Sequence, residues 1–335
     1  MRHLNIPVFI PHLGCPQMCV FCDQNRISGK ESGERDFPGY ARRTIDEALK
    51  TVDDGDDVEI AFFGGSFTGI DRELMISLLD LAESYIDKGP VSHIRLSTRP
   101  DYISAEILDI LSRYHVRYIE LGVQSTSDAV LEKCRRGHTA KQSIEALRMI
   151  RESGFESVGQ MMTGLPGSSP EDEINTARDI INCGATAARI YPIVIFRDTE
   201  LYEMVKRNEY VPLSPEELVR RTADVLEEFV GAGIPVIKIG LHSGPGTENA
   251  EGSYHPAMGE LAEGLVCFRR ISSAAAGKDT RGKNVTVYVP TGFVSKAVGQ
   301  RGIYRDRLRD TLGVKKLGFA ENPALSPYEF EINVE

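Results

Sequence analysis

Three cysteines fall within eight residues, in the segment PHLGCPQMCVFCD that spans Pro11–Asp23, with the spacing C-x3-C-x2-C through Cys15, Cys19 and Cys22. Thiolates are the usual ligands of iron–sulfur clusters. Three on one short loop can each hold one iron of a 4Fe–4S cubane while the fourth iron keeps an open position. A structural zinc would ask for a fourth ligand, which His12 could provide. Unligated thiols crowded on a loop would be oxidation liabilities. Cys134, Cys183 and Cys267 lie apart, on helical patterns, and read as small buried hydrophobes.

Elements on either side must hold such a loop. Short β-rich runs alternate with longer amphipathic ones, which predicts strands at Ile6–Ile10, Val58–Phe63, His93–Thr98, Tyr118–Val123, Val158–Gly164, Ala188–Ile195 and Pro235–Leu241. Helices are expected at Pro38–Val52, Arg72–Tyr85, Ala140–Ser153, Pro170–Cys183 and Pro215–Ala232, with Thr139 and Ser214 as N-caps. Strand–helix alternation of this kind means βαβ units and a parallel sheet. Pattern alone leaves a closed barrel, a partial barrel and an open doubly wound sheet all standing.

Polar and glycine-rich motifs sit at the ends of these strands, where parallel α/β folds bind ligands. Gly64, Gly65 and Ser66 follow the second strand, ELGVQS from Glu120 to Ser125 closes the fourth, and GQMMTGLPG from Gly159 to Gly167 closes the fifth. With the cysteine loop directly after the first strand, this series resembles the radical S-adenosylmethionine superfamily. The resemblance implies an α/β fold, a partial (β/α)6 TIM-like barrel over residues 1–242. It implies a 4Fe–4S cluster on Cys15, Cys19 and Cys22, whose open iron chelates the methionyl amine and carboxylate of S-adenosylmethionine. An electron from a donor such as flavodoxin or ferredoxin then yields methionine and a 5′-deoxyadenosyl radical. Gly64 and Gly65 would hold the methionyl amine, with Ser66 where the family has an acidic residue. Glu120, Gln124 and Ser125 would lie beside the ribose and methionyl group, and Met161 and Gly164 in a segment against the adenine. From the residues alone, Glu120 reads equally as a solvated strand residue.

Further strings narrow the branch. STRPDY at Ser97–Tyr102, RGHT at Arg136–Thr139 and ARIYPIVIFR at Ala188–Arg197 resemble the radical domain of the catalytic subunit of Elongator, which modifies wobble uridine in tRNA. The likeness runs from about Asn5 to about Gly240. The cysteine spacing is shorter than Elongator's, and the large acetyltransferase domain that follows there has no counterpart here, which puts acetyl-coenzyme A use in doubt. Among single residues, Arg99 and Asp101 read as a loop pair or as ligand contacts. His138 reads as an anion contact or a solvated helix start, and Tyr191 and Arg197 as lining of the barrel mouth. His242 and His255, flanking a Gly-rich loop, read as exposed residues or as substrate contacts.

Beyond a connecting segment, 243–283, with a helix at Pro256–Ile271 and a linker at Ser272–Lys283, residues 284–335 read as strand, helix, GQRG turn, helix and strand. This layout resembles a KH module, an α+β unit whose GxxG loop clamps a nucleic-acid backbone. The resemblance assigns RNA contacts to Lys296, Gly299, Gln300, Arg301, Gly302 and Arg305. Between Cys267 and Lys316 there are twelve Lys or Arg against three Asp, in a chain whose net charge is −10. A solvated cationic face on a small docking unit is the alternative to RNA binding.

At 335 residues, 41% hydrophobic and 26% charged, the composition is that of a globular protein with a sizeable core. The N-terminus lacks the pattern of a signal peptide, and no run is apolar enough to span a bilayer, so a cytoplasmic location and no membrane contact are expected. The reading is of a radical enzyme that modifies RNA, tRNA first. A radical enzyme acting on a protein or small metabolite, and a non-catalytic iron–sulfur RNA-binding regulator, are the alternatives.

Overall fold

The computed structural model describes residues 2–10, 13–15, 18–22, 36–53, 55–241 and 250–335. Seven strands form one sheet in sequence order: β1 (His3–Ile10), β2 (Asp57–Gly64), β3 (His93–Thr98), β4 (Val116–Gln124), β5 (Glu156–Thr163), β6 (Ala187–Pro192) and β7 (Val236–Ile239). Every neighbouring pair is parallel. Among the described residues β1 and β7 do not pair with each other, so the sheet curls into an open partial barrel. The expected six β/α units are present, and the seventh strand extends the sheet by one. The predicted strand through Ile195 ends at Pro192, whose missing N–H cannot extend the ladder. Ile195–Phe196 instead pairs antiparallel with Ala250–Glu251.

The helices are α1 (Phe37–Leu49), α2 (Arg72–Ile86), α3 (Ala105–Leu111), α4 (Asp128–Lys133), α5 (Ala140–Glu152), α6 (Pro170–Asn182), α7 (Glu200–Lys206), α8 (Pro215–Gly231) and α9 (Met258–Ala274). Thr139 caps α5 in a reciprocal capping box with Gln142, and Ser214 caps α8 ahead of Pro215, as the sequence predicts. The short helices α3, α4 and α7 were not expected, because six or seven residues are too few for a 3.6-residue period to declare itself.

Strand alternation sorts the side chains onto two faces. Ile60, Phe62, Ile94, Leu96, Ile119, Leu121 and Ile190 face the helices and join one continuous core with Leu78, Leu79, Leu147, Ile150, Ile180 and Phe229. The opposite, concave face carries Glu59, Arg95, Glu120, Gln160 and Arg189. Arg95 donates to Glu59 at 2.6 Å and to Glu120 at 3.0 Å, while Arg189 and Gln160 reach Glu120 at 2.8 and 2.7 Å. Burial alone would raise the Glu59 carboxyl, but His93 and Arg95 outweigh it and hold it below the usual range. Five strands are thus tied together across a charged floor.

The C-terminal unit has β8 (Asn284–Val289), α10 (Val294–Val298), α11 (Ile303–Leu312), β9 (Lys316–Glu321) and β10 (Glu331–Val334). The expected strand–helix–turn–helix–strand order is present, with β8 and β9 parallel. An additional strand, β10, pairs antiparallel on the other side of β8. The boundary placed before residue 284 needs revision. Helix α9 contributes Ala262 and Val266 to the barrel core and Cys267 and Ile271 to the core of the C-terminal unit, so it belongs to both. The expected linker is helical to Ala274, and Thr280 is buried with its hydroxyl on the Leu312 carbonyl at 2.8 Å.

A buried pair fixes the segment after β5. Arg221 of α8 grips Glu173 of α6 through Nε and Nη2 at 2.8 and 2.6 Å, and Glu173 accepts the Gly164 amide at 2.6 Å. Burial raises the Glu173 carboxyl, with Arg221 pulling against it. Arg221→Met strands that carboxylate and is expected to cost about 3–5 kcal/mol, with the Glu173→Gln/Arg221→Met double variant recovering part of it. Urea unfolding measures both. A loss below about 1 kcal/mol would mean that the pair does not hold this segment.

Candidate functional site

The cysteine loop leaves β1 and lies directly on the glycine turn that ends β2. The Gly65 amide donates to the Ile10 carbonyl at 2.8 Å and the Ser66 amide to the Leu13 carbonyl at 2.9 Å. A Cβ at Gly65 would overlap the Leu13 carbonyl, and one at Gly14, which has φ +70°, would overlap the Ser66 carbonyl. The glycines expected to admit a ligand are thus required first by the backbone of the loop itself. Ser66 is fully buried, its hydroxyl paired with Thr98 at 2.8 Å. Thr98 in turn meets Thr68 at 2.6 Å, so the expected ligand contact by the Ser66 side chain is replaced by a tie between β2 and β3.

The far end of the loop is pinned by Val20. Its amide donates to the Cys134 carbonyl at 3.2 Å and its carbonyl accepts from Leu201 at 2.8 Å. Its side chain lies in a second apolar cluster with Val130, Leu165, Ile193 and Leu201, against which Phe21 packs. Cys134, Cys183 and Cys267 are buried, as expected. Burial raises all three thiols, Cys134 and Cys267 to about 12.

Two buried guanidinium groups lie against the cysteines. Arg99 is held bidentately by Asp101, both contacts at 2.9 Å, and donates to the Arg136 carbonyl at 2.5 Å, so the two do form a loop pair. Arg136 donates to Cys19 Sγ at 3.2 Å and to the Gly122 carbonyl at 2.6 Å. No carboxylate pairs with Arg136 among the described residues, and its Nε and the Arg99 Nη1 have no partner. Burial raises the Cys15 thiol, while Arg99 and Arg136 oppose that rise. His138 is not solvated. It is buried behind Arg136, and burial followed by that neighbouring charge holds it at about 3.

The end of β4 is strained. Gln124 has φ +65°, and the Ser125 amide returns to the Val123 carbonyl at 2.8 Å, a γ-turn around a non-glycine residue. Ser125 is buried and accepts the Ser127 amide at 3.1 Å. Glu120 is not solvated but sits in the charged floor, four residues before Gln124. The Met161 side chain lies in the helix-facing core with no exposure, and alternation sends the neighbouring Met162 toward the apolar cluster at the mouth. Both backbone groups of Gly164 are engaged by the protein, the amide by Glu173 and the carbonyl by Tyr210 at 2.7 Å. Tyr191 lies on the concave strand β6 beside Arg189, Arg197 pairs with Glu251 at 2.6 Å, and His255 accepts the Ala257 amide at 3.1 Å. His12 and His242 lie outside the described residues.

Among the described residues no three Cys, His, Asp or Glu side chains converge as a preformed metal cage. The chemistry around the loop nevertheless suits an anionic iron–sulfur cluster. Cys15, Cys19 and Cys22 would supply three sulfur ligands, and among the described residues the buried Arg136 has no carboxylate to balance its charge. In the sequence Arg136 stands out only as the first residue of the RGHT string, with no site role of its own.

Comparison with known proteins places this geometry. The radical SAM superfamily model matches residues 9–180, just over half of the chain, and the radical SAM C-terminal domain model matches residues 185–265. The chain belongs to the radical SAM superfamily. The cofactors of that family are a 4Fe–4S cluster and S-adenosylmethionine. A similar uncharacterized protein of Methanocaldococcus jannaschii is 31% identical over 66% of this chain and 66% of its own. The tRNA uridine(34) acetyltransferase of the same organism is 35% identical over 37% of this chain and 24% of its own, and human Elongator complex protein 3 is 26% identical over 64% and 46%. The chain therefore spans only 24% to 66% of the length of these relatives. The fold is similar to that of archaeal Methanocaldococcus infernus Elp3, solved with an N-terminal deletion, at a TM-score of 0.53 and 23% identity over 67% of this chain and 53% of that one. No helix among the described residues of this radical SAM protein is long and apolar enough to cross a membrane.

Two predictions follow from the site. Gly65→Ala and Gly14→Ala are each expected to lower iron uptake on anaerobic reconstitution at least severalfold and to cost about 1–3 kcal/mol. Gly231→Ala, on a helix with open space around it, is expected to leave both unchanged or slightly improved. Normal iron uptake by Gly65→Ala would show that the loop does not depend on that turn. The second concerns acid. The pKa of His138 is 6.5 unfolded and about 3 folded, so the unfolded state binds the extra proton. Its contribution is complete above pH 6.5 and is lost as pH falls toward about 3, on the order of a few kcal/mol. His138→Gln is expected to flatten that part of the stability–pH curve measured by denaturant unfolding; an unchanged slope contradicts a buried neutral His138.

Proposed function

We propose that this radical SAM enzyme modifies RNA, with tRNA as the substrate. The observation that carries the reading is the cysteine loop seated on the Gly64–Ser66 turn at the mouth of the partial barrel. This arrangement sits in a chain similar to a tRNA uridine(34) acetyltransferase and to Elongator complex protein 3. The residues fit a division of labour. Cys15, Cys19 and Cys22 hold the 4Fe–4S cluster, which with S-adenosylmethionine supplies the 5′-deoxyadenosyl radical once an electron arrives from a donor such as flavodoxin or ferredoxin. Arg136 and Arg99 set fixed positive charge beside the loop. Gly64, Gly65, Gln124, Ser125 and Gly164 place backbone and small polar groups along the strand ends where the cofactor would lie. Phe21 and Val20 close the loop over an apolar cluster and keep water from that side. The charged floor from Glu59 to Arg189 holds the strand ends in register.

In this reading residues 1–242 carry the radical chemistry and residues 284–335 are a KH-like RNA-binding unit, with α9 as a shared strut between them. Acetyl transfer is not part of the proposal. Mass spectrometry of tRNA nucleosides from cells with and without the gene tests it, alongside assay of the purified protein for 5′-deoxyadenosine. The expected result is one modified nucleoside that disappears with the gene, and deoxyadenosine release that Cys19→Ala abolishes. Identical nucleoside profiles with active S-adenosylmethionine cleavage would move the substrate to a protein or metabolite. A full cluster without cleavage would favour the regulator.

A further inference from the structure

The turn expected to clamp RNA has little charge left to offer. Lys296 is paired with Glu263 at 2.9 Å, Gln300 donates to Glu260 at 3.1 Å, and Arg305 is paired with Asp306 at 3.0 Å. Of the three cations around the turn, Lys296 and Arg305 are thus paired and Arg301 makes no ion pair among the described residues, beside three carboxylates, Glu260, Glu263 and Asp306. Two of these, Glu260 and Glu263, come from α9, outside the cationic stretch of sequence. The glycines are also committed internally. A Cβ at Gly299 would overlap the Tyr304 ring, and one at Gly302 would press on the Arg305 guanidinium. Tyr304 in turn donates to the Leu261 carbonyl of α9 at 3.1 Å. This face docks the C-terminal unit onto the barrel.

The opposite end of the unit is different. There the segments entering β8 and β9 are stitched side by side. Gly282 donates to the Gly313 carbonyl at 2.8 Å, and Lys315 and Lys316 donate to the Lys283 carbonyl at 2.7 and 3.4 Å. The pairing brings Lys278, Arg281 and Lys283 onto one surface with Lys315 and Lys316, all five exposed. Lys283 pairs with Asp279 at 3.0 Å; among the described residues the other four make no ion pair. Like charges gathered without partners repel, so the arrangement favours an external polyanion.

We propose that the RNA contact of this unit is made by the Lys278, Arg281, Lys283, Lys315 and Lys316 surface and not by the Gly299–Gly302 turn. The proposal rests on the RNA reading above and specifies its contact. Exposed lysines and an arginine with no stacking aromatic among them recognise the phosphate backbone of a folded RNA and not its base edges.

Fluorescence anisotropy with labelled bulk tRNA and the full-length protein, from 50 to 200 mM salt, tests it. Four phosphate contacts predict that wild-type affinity falls roughly 50- to 150-fold over that range. Arg281→Glu/Lys315→Glu/Lys316→Glu should lose at least tenfold in affinity at 50 mM salt and flatten the salt dependence. Gln300→Asp/Arg301→Asp should stay within threefold of wild type. Arg281→Lys/Lys315→Arg/Lys316→Arg should bind as wild type, which separates charge from folding, and melting curves of all variants should coincide. Loss confined to the Gln300/Arg301 variant, or equal loss in both acidic variants, overturns the proposal and leaves the RNA reading in place. No binding by wild type at 50 mM salt removes the RNA reading together with it.

Discussion

The carbonyl of Leu13 accepts the Ser66 amide at the one place where a side chain on Gly65 would leave it no room. This contact sets the position of the cysteine loop relative to the end of β2, and much else follows from it. Val20 can reach its partners at the ends of α4 and α7 only if the loop starts from there. Cys19 meets the Arg136 guanidinium for the same reason. A glycine pair that reads in the sequence as room for a ligand is, in the protein itself, a seat for backbone. Side-chain volume is excluded here because two stretches of main chain approach each other, so the cofactor side of the turn is defined by what the loop leaves open.

The second organising feature is the split between the two faces of the sheet. The convex face is apolar and buries helices, which provides the ordinary hydrophobic stabilisation of an α/β fold. The concave face is charged, and its carboxylates and guanidiniums alternate from β2 to β6 so that each buried charge has an opposite neighbour. Such a network is a weak source of net stability, because desolvation offsets much of the attraction. It does specify register strongly, since shifting one strand by a residue would bury Glu120 among the helices. An interior of this kind leaves polar groups beneath the strand ends, where a packed apolar barrel would leave none.

Most of the fold was legible because its signals are local. Alternation located the seven strands, and Thr139 and Ser214 marked helix starts by the chemistry of their hydroxyls. The cysteine spacing and the strand-end motifs after it pointed to the radical SAM superfamily without any structure. What was not legible depends on contacts between distant residues. Met161 and Met162 look interchangeable in the string, yet the pleat sends only one toward the mouth. Glu120 reads as a surface carboxylate until Arg95 and Arg189 from neighbouring strands are seen to enclose it. Ser66 looks like a ligand and is instead a link to Thr98. The same limit applies to charge. A count along residues 267–316 finds a cationic unit, but folding delivers Glu260 and Glu263 to one end of it and gathers at the far end four cations that make no ion pair among the described residues.

The central claim is that Cys15, Cys19 and Cys22 hold a cluster with one iron open to S-adenosylmethionine. Mössbauer spectroscopy of protein reconstituted with iron-57, with and without S-adenosylmethionine, addresses this most directly, because it resolves the iron that lacks a thiolate. The account predicts a cubane in which a single iron changes its signal when S-adenosylmethionine is added and the other three do not. A cluster whose irons all remain unchanged, or a preparation that holds stoichiometric zinc and no cubane, would contradict it.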